Sequence, residues 1–429
     1  SNPVMTGHTP SMKNEQYYGG AIKFVKTNNL REFKISGEFA HYLSKAGNLK
    51  IQRSSLKTGD LLITIIGATH EIVGRVALVR KDDLPANINQ NIALVRVKKT
   101  ISPEFLSAYL NSKIGRLALW YLSRQTEQVN LNCREVEKVL IPQFSQELTS
   151  SIEKQYKTAV ALENSSQEVF QEAQHLLLSE LGLANWQPKH RLSFVRNSSE
   201  VEKSARIDAE YFQPKYDQIV NAIKSYAGGW DSLGKLVKLK KSVEIGSSEY
   251  LDAGIPFIRV SNLSPFELSE EKYMSEKLYT ELVKHQPQKG EILLSKDGSP
   301  GIAYHLREKP EKMIVSGGIL RLKLKDKRIN PDYLVLVLNS LLVQEQANRD
   351  IGGSIIYHWR PDQVKEVVIP ILETEKQLEI QQKVSESFAL RAKSKSLLEA
   401  AKRAVEMAIE EGEEKALAWL EEQTRLTQS

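Results

Sequence analysis

The spacing of apolar and polar residues changes period along this chain, and it runs through the same changes twice. Four short apolar runs come first, at 21–25, 61–66, 75–79 and 91–97. Turn residues such as Asn28-Asn29, Gly67 and Gly74 punctuate them, and they predict strands. Ser102 then stands where a hydroxyl can cap a helix, with Pro103 in the first turn, and helical spacing continues to about residue 122. A polar loop at 125–132 leads to a short strand ending at Ile141-Pro142. From Glu147 to Leu181 the pattern is one long helix, stopped by Gly182. Ile152, Tyr156, Ala159, Phe170, Ala173 and Leu177 fall at heptad-like intervals along it, with a polar interruption at Glu163 and Ser166.

The order then returns. Pro103-Glu104-Phe105-Leu106-Ser107-Ala108-Tyr109-Leu110-Asn111-Ser112 reappears as Pro331-Asp332-Tyr333-Leu334-Val335-Leu336-Val337-Leu338-Asn339-Ser340, an offset of 228. The same offset carries Val139-Leu140-Ile141-Pro142 onto Val367-Val368-Ile369-Pro370. It then places Ile152, Tyr156, Phe170, Ala173 and Leu181 over Ile380, Val384, Leu398, Ala401 and Ile409, with Arg391 and Ser394 as the second polar interruption. Upstream, the segment from Ile22 to Leu30 matches Ile255 to Leu263 at 233, and Gly59-Asp60-Leu61-Leu62-Ile63 matches Gly290-Glu291-Ile292-Leu293-Leu294 at 231. Elements are kept while the loops between them change length, as expected where loops carry function on a scaffold. A duplication of this kind decides architecture.

The expected fold is α+β: two repeated αβ domains separated by two long helices, which pair with each other as an antiparallel coiled coil in a pseudo-two-fold arrangement. Residues 1–145 form the first domain, 146–184 the first long helix, 185–370 a linker and the second domain, and 371–429 the second long helix and a tail. At about 1.5 Å per residue each helix is on the order of 50 Å long. The second copy is preceded by a helical stretch at 208–226 and a strand-like one at 233–240, whereas little of the chain precedes Ala21. Either the first domain is trimmed, or the tail through Trp419 and Leu420 completes it.

Composition narrows the class. The longest apolar run, 61–66, is too short to span a bilayer, and no basic-then-apolar leader opens the chain, so the expected location is cytoplasmic and no membrane partner is implied. The single Cys133 excludes a disulfide framework and a multi-cysteine metal site. The formal charge of +6 is uneven: residues 1–145 carry +9 and 201–370 carry +2, while the helical segments are negative. Two basic surfaces held at a fixed separation by a rod suit a polyanion, with DNA the natural ligand.

At this point the chain resembles a known family. The order Gly-Asp-Leu-Leu (59–62), Gly-Arg-Val-Ala-Leu-Val (74–79), Asn-Gln-Asn-Ile-Ala (89–93), the 103–112 helix, Ile-Pro and a long helix is similar to the specificity (S) subunit of type I restriction–modification systems, over nearly the whole chain and in both halves. The resemblance implies two target recognition domains, each reading one half of a bipartite double-stranded DNA site. It implies helical spacers that set the distance and dock two methyltransferase (M) subunits, through which restriction (R) subunits join. A protein–protein adaptor with a coiled-coil rod and no DNA role is the alternative.

In that reading Lys and Arg neutralise phosphates, and polar side chains on loops read base edges. The candidates in the first half are Lys26, Asn28, Asn29, Thr69, His70, Gln125, Gln128, Asn130 and Asn132. In the second they are Arg259, Ser261, Asn262, Lys296, Asp297, Tyr357, His358 and Arg360. Catalytic patterns are missing: there is no Asn/Asp-Pro-Pro-aromatic tetrad, His-Glu-x-x-His, Gly-x-Ser-x-Gly or Walker loop, and Cys133 reads as a packed residue. The expectation is a chain without catalysis, metal or cofactor of its own. S-adenosylmethionine, ATP and Mg²⁺ would belong to the partner subunits.

Overall fold

The computed structural model describes residues 3–37, 39–67, 72–124, 129–352 and 357–428. The chain divides into two compact units, Ser1–Asn164 with Leu390–Ser429, and Ser165–Ala389. Each unit is described by itself below.

In the first unit the apolar run at 61–66 becomes the buried strand Leu61–Thr64. It pairs antiparallel with Ile92–Val95 on one side and Val76–Leu78 on the other, and Met5–Thr6 adds a fourth strand beside Ile92–Val95. A smaller sheet sets Tyr18–Val25 between Tyr42–Leu43, antiparallel, and Ala86–Ile88, parallel. The second unit repeats both sheets. Glu291–Ser295 lies between Ile319–Leu324 and Ala303–His305, with Val237–Lys241 outermost, and Ile255–Ile258 lies between Tyr273–Met274 and the parallel Ile314–Val315.

Both expected caps form. The Ser102 hydroxyl accepts from the Phe105 N–H, and the Asn330 side chain accepts from the Asp332 and Tyr333 N–H groups. The expected helix does not run unbroken to about 122, however, and its copy breaks in the same way. Each stops at a serine, giving Pro103–Asn111 then Lys113–Leu122, and Pro331–Asn339 then Leu341–Asp350. Ser112 and Ser340 are extended, and their hydroxyls cap the following helix by accepting from Gly115 N–H and Leu342 N–H. Just before each break an asparagine ties helix to sheet: Asn111 Nδ2 donates to Val76 O at 3.1 Å, and Asn339 Nδ2 to Ala303 O at 2.8 Å.

The long helices are Gln146–Glu180 and Thr374–Glu410, and each contributes one part to each unit. In the first unit Ile152, Tyr156 and Ala159 share a core with Ala401, Ala404 and Val405, and Ser394 Oγ donates to Ala159 O at 2.6 Å. In the second unit Phe170, Ala173 and Leu177 share a core with Ile380 and Val384, Ser387 Oγ donates to Ser166 O at 2.7 Å, and Lys383 pairs with Glu172 at 2.7 Å. Within each unit partner numbers fall on one helix as they rise on the other, so the pairing is antiparallel.

The units differ at their margins. After Gly412 a further helix, Glu413–Gln428, buries Ala416 and Leu420 in the first unit's core, and Thr424 Oγ1 donates to Gln155 Oε1. The tail therefore contributes to the first unit. In the second unit the region expected as strand, 233–240, opens with a helical turn, Leu233–Leu236. Before it, Trp230–Ser232 pairs antiparallel with Val368–Pro370, and the helix Pro214–Lys224 buries Tyr216, Ile219 and Ile223. Ile369 is 0% exposed there. The matching Ile141 in the first unit is 39% exposed and Leu140 85%, and among the described residues no strand pairs with them.

Candidate nucleic-acid interface

In each unit the chain leaving the central strand meets the polar loop that follows the broken helix, and the two form a short ribbon. In the first unit Val129 and Asn130 pair with Gly67 and Ile66, Leu131 N–H donates to Ile65 O at 2.8 Å, and Arg124 and Asn130 exchange backbone bonds. In the second, Trp359 N–H donates to Lys296 O at 2.8 Å, Gly298 N–H donates to Tyr357 O at 2.9 Å, and Gly352 and His358 exchange backbone bonds. Leu131 and Trp359 occupy matching positions, and both are fully buried beneath the ribbon.

The turn after the smaller sheet's central strand borders this ribbon. In the first unit Asn89 N–H donates to Val25 O, and Ile65 N–H donates to Asn91 O. In the second, Ser316 N–H donates to Ile258 O, and Lys296 N–H donates to Gly318 O. Gly318 sits so tightly that a β-carbon there would meet the Val260 side chain at 2.9 Å and Asp297 Oδ2 at 3.5 Å. Candidate residues far apart in sequence (259–262, 296–297 and 357–358) are thus gathered on one face.

Lys296 Nζ and His358 Nδ1 both engage the Asp297 carboxylate, the imidazole at 2.8 Å. A carboxylate only accepts, so Nδ1 carries the proton in this bond. The His358 side chain is 60% exposed, and Tyr357 and Arg360 are exposed beside it. Arg360 stands 3.5 Å from Asp362. Arg259 is paired with Glu271 at 3.2 Å, and Ser261 is exposed. In the first unit Asn28 and Asn130 are exposed and Lys26 is half-buried. Thr69, His70, Gln125 and Gln128 lie outside the described residues.

Three of the candidate asparagines bond within the fold. Asn29 and Asn262 are 1% and 3% exposed. Asn29 Oδ1 accepts from Lys26 N–H at 3.1 Å, and Asn262 Oδ1 accepts from Arg259 N–H at 3.1 Å. Each backbone carbonyl accepts from a serine seven residues on, Ser36 or Ser269, so the side chains close the turn instead of facing outward. Asn132 caps the helix Cys133–Val136: its Oδ1 accepts from Glu135 N–H, and Glu135 Oε2 accepts from its own N–H. The Asn-x-x-Glu spacing was the signal for that cap. Arg124 was missed; it lies on the ribbon, 70% exposed, 3.2 Å from Glu135. Burial first, and Glu137 second, push the Cys133 thiol upward, away from a reactive thiolate.

No protein-family model matches the chain. The type I restriction enzyme EcoBI specificity subunit of Escherichia coli is 27% identical over 160 residues, covering 33% of this chain and 32% of that protein. The chain thus spans about a third of the length of that relative. Solved structures with similarity include a type I restriction–modification S subunit from M. genitalium, at 13% identity and a TM-score of 0.37, covering 97% of this chain and 92% of that one. Another is the HsdS subunit from Thermoanaerobacter tengcongensis, at 16% identity and 0.30, covering 96% and 94%. Both scores are too low to bear on fold or function. Over that 160-residue stretch the chain is similar to a type I restriction enzyme specificity subunit.

Proposed function

We propose that this chain is the DNA-specificity subunit of a type I restriction–modification complex. Each unit's mixed domain would read one half of a bipartite double-stranded site. The observation that carries the reading is the duplicated ribbon and turn: the same backbone frame twice, presenting different exposed side chains. Two readers with one frame and two side-chain sets suit an asymmetric site. Lys26, Arg124, Arg259, Lys296 and Arg360 would neutralise phosphates, and Asn28, Asn130, Ser261, Tyr357 and His358 would face base edges. With Nδ1–H held by Asp297, His358 Nε2 suits an exocyclic amino group of cytosine or adenine in the major groove.

The long antiparallel helices would set the spacing between half-sites and dock two methyltransferase subunits, with restriction subunits joining through them. Catalysis, with its S-adenosylmethionine, ATP and Mg²⁺, would reside in those partners. No helix is long and apolar enough to cross a membrane among the described residues.

The test is methylome sequencing of a host carrying this subunit with its methyltransferase. The expected result is one bipartite motif, of which His358→Ala together with Tyr357→Ala relaxes one half and Asn28→Ala with Asn130→Ala the other. A single continuous motif, or variants that alter both halves together, would sink the reading.

A further inference from the structure

In the second unit a helix and a strand close one face that the first unit leaves open. The helix Pro214–Lys224 packs against the helix Leu341–Asp350 and against the strand Val368–Pro370. Charged groups of Leu341–Asp350 meet the covering segment: Glu345 Oε2 stands 3.4 Å from Lys215 Nζ, and the Arg349 guanidinium lies 5.7 Å from the Tyr211 ring. The strand Trp230–Ser232 then adds antiparallel to Val368–Pro370. The pairing continues past both ends, with Leu233 N–H donating to Val367 O at 2.8 Å and Ile371 N–H to Gly229 O at 3.0 Å.

The offset of 228 names the matching residues of the first unit. Glu345 is matched by Leu117, Arg349 by Tyr121, Val368 by Leu140 and Ile369 by Ile141. The element is the same as well, since Lys113–Leu122 matches Leu341–Asp350 and follows the same extended serine. Leu117 is 63% exposed and Tyr121 84%, and Leu140 and Ile141 are exposed too. Among the described residues no strand pairs with 140–142. Single exposed apolar side chains are ordinary on a surface, but four at the positions of one closed face are not. Where the covered face of the second unit has Glu345 and Arg349, the open face of the first has a leucine and a tyrosine.

We propose that this face of the first unit is a docking surface for a helix-and-strand segment of a different polypeptide. The strand adds antiparallel to 140–142 through main-chain bonds, and the helix lies across Leu117 and Tyr121. The second unit supplies the template for the shape, and the exchanged side chains state the chemistry. Where Pro214–Lys224 brings Lys215 to Glu345, the partner's helix brings an uncharged, apolar side chain to Leu117, because an ammonium there would be desolvated without a counter-charge. The segment 211–233 of a second copy does not meet that requirement. It bears Lys215, and its Tyr216, Ile219 and Ile223 are already buried in its own unit. The surface is independent of what the loops of either unit bind.

The probe is a synthetic peptide with the sequence of residues 211–233, unaltered or carrying Lys215→Leu, added to the full chain. Fluorescence anisotropy of the labelled peptide reads affinity, and hydrogen exchange of the chain reads the place. The Lys215→Leu peptide should bind roughly tenfold or more tighter than the unaltered one, since it brings no unpaired ammonium to Leu117. Its binding should slow amide exchange at Leu140 and Ile141 and leave Val368 and Ile369 unchanged. Leu117→Glu in the chain should reverse the order of the two peptides, because it rebuilds the pairing of Glu345 with Lys215. Unchanged exchange in Leu61–Thr64 shows that this variant still folds. No anisotropy change up to about 1 mM peptide, equal affinities for the two peptides, or protection away from 140–142 would overturn the proposal. Sedimentation of the chain alone decides the partner. It should give a single-chain species, whereas a dimer that Leu117→Glu with Tyr121→Glu dissociates would put a second copy on this face and overturn the assignment to a different polypeptide.

Discussion

Beneath the loop ribbon the first unit places Leu131 and the second places Trp359, on the same backbone bonds. That pair stands for the whole comparison between the units. The frame is made of main-chain ladders, caps and two asparagine-closed turns, all of which depend on a few side chains at fixed places. What differs between the units on that frame is the residue under the ribbon and the residues exposed on it. The comparison teaches that position is set by the backbone frame, and that individuality lies in side chains mounted on it.

The largest expected effect breaks the comparison at the Ile-Pro strand. Ile369 is buried between the sheet partner Trp230–Ser232 and the unit's core, whereas Ile141 is 39% exposed. Ile369→Asp forces a carboxylate into that core and should cost about 4 kcal/mol or more in the second unit's stability. Ile141→Asp should cost less than about 1 kcal/mol. Urea denaturation of the full chain, followed by probes in each unit, measures both. Equal losses would mean that the segment around Ile141 is covered in solution.

Acid tests the first unit at Glu163 of the first long helix, whose carboxylate stands 2.8 Å from Lys34 Nζ and 2.6 Å from Arg80 Nη1. Burial alone would raise the Glu163 carboxyl, but Lys34 and Arg80 outweigh it and hold it down at about 2. A carboxylate with a depressed pKa stabilises the fold fully above its unfolded value near 4.5 and loses that contribution as pH falls toward 2. The stake is about 3 kcal/mol. The stability gap between the parent and Glu163→Gln should therefore be constant above pH 5 and shrink progressively below it. A gap that stays flat from pH 6 to 3 would show that Glu163 is not ionised through its pairing.

Much of the fold was legible because it rests on local rules repeated twice. Ser102 and Asn330 before proline, the 228 offset and the heptad-like apolar positions each mark an element by a physical requirement. The breaks at Ser112 and Ser340 were not legible, since a serine inside an apolar helical run has the same spacing whether it caps or continues. Nor was the contribution of the tail through Ala416 and Leu420 settled, because burial against a partner distant in sequence leaves no local period. At the candidate interface the polar residues were visible but their duties were not. A polar side chain on a turn looks the same whether it faces out, as Asn28 does, or in, as Asn29 does.

That last ambiguity gives the smallest expected effect and the finest test of frame against reader. Asn29 and Asn262 accept the same turn bond through Oδ1 in the two units, so the frame view requires that their losses be similar. Asn29→Ala and Asn262→Ala should each cost about 1–2 kcal/mol, since each leaves a turn amide without its acceptor. Neither should change which bases are methylated, although both should weaken DNA binding by loosening the turn beneath Asn28 or Ser261. Asn28→Ala and Ser261→Ala should do the reverse, leaving stability within about 0.5 kcal/mol while changing recognition of one half-site. If Asn29→Ala altered the methylated motif at unchanged stability, that side chain would be reading DNA, and the division between frame and reader would fail at the position where the two units agree most closely.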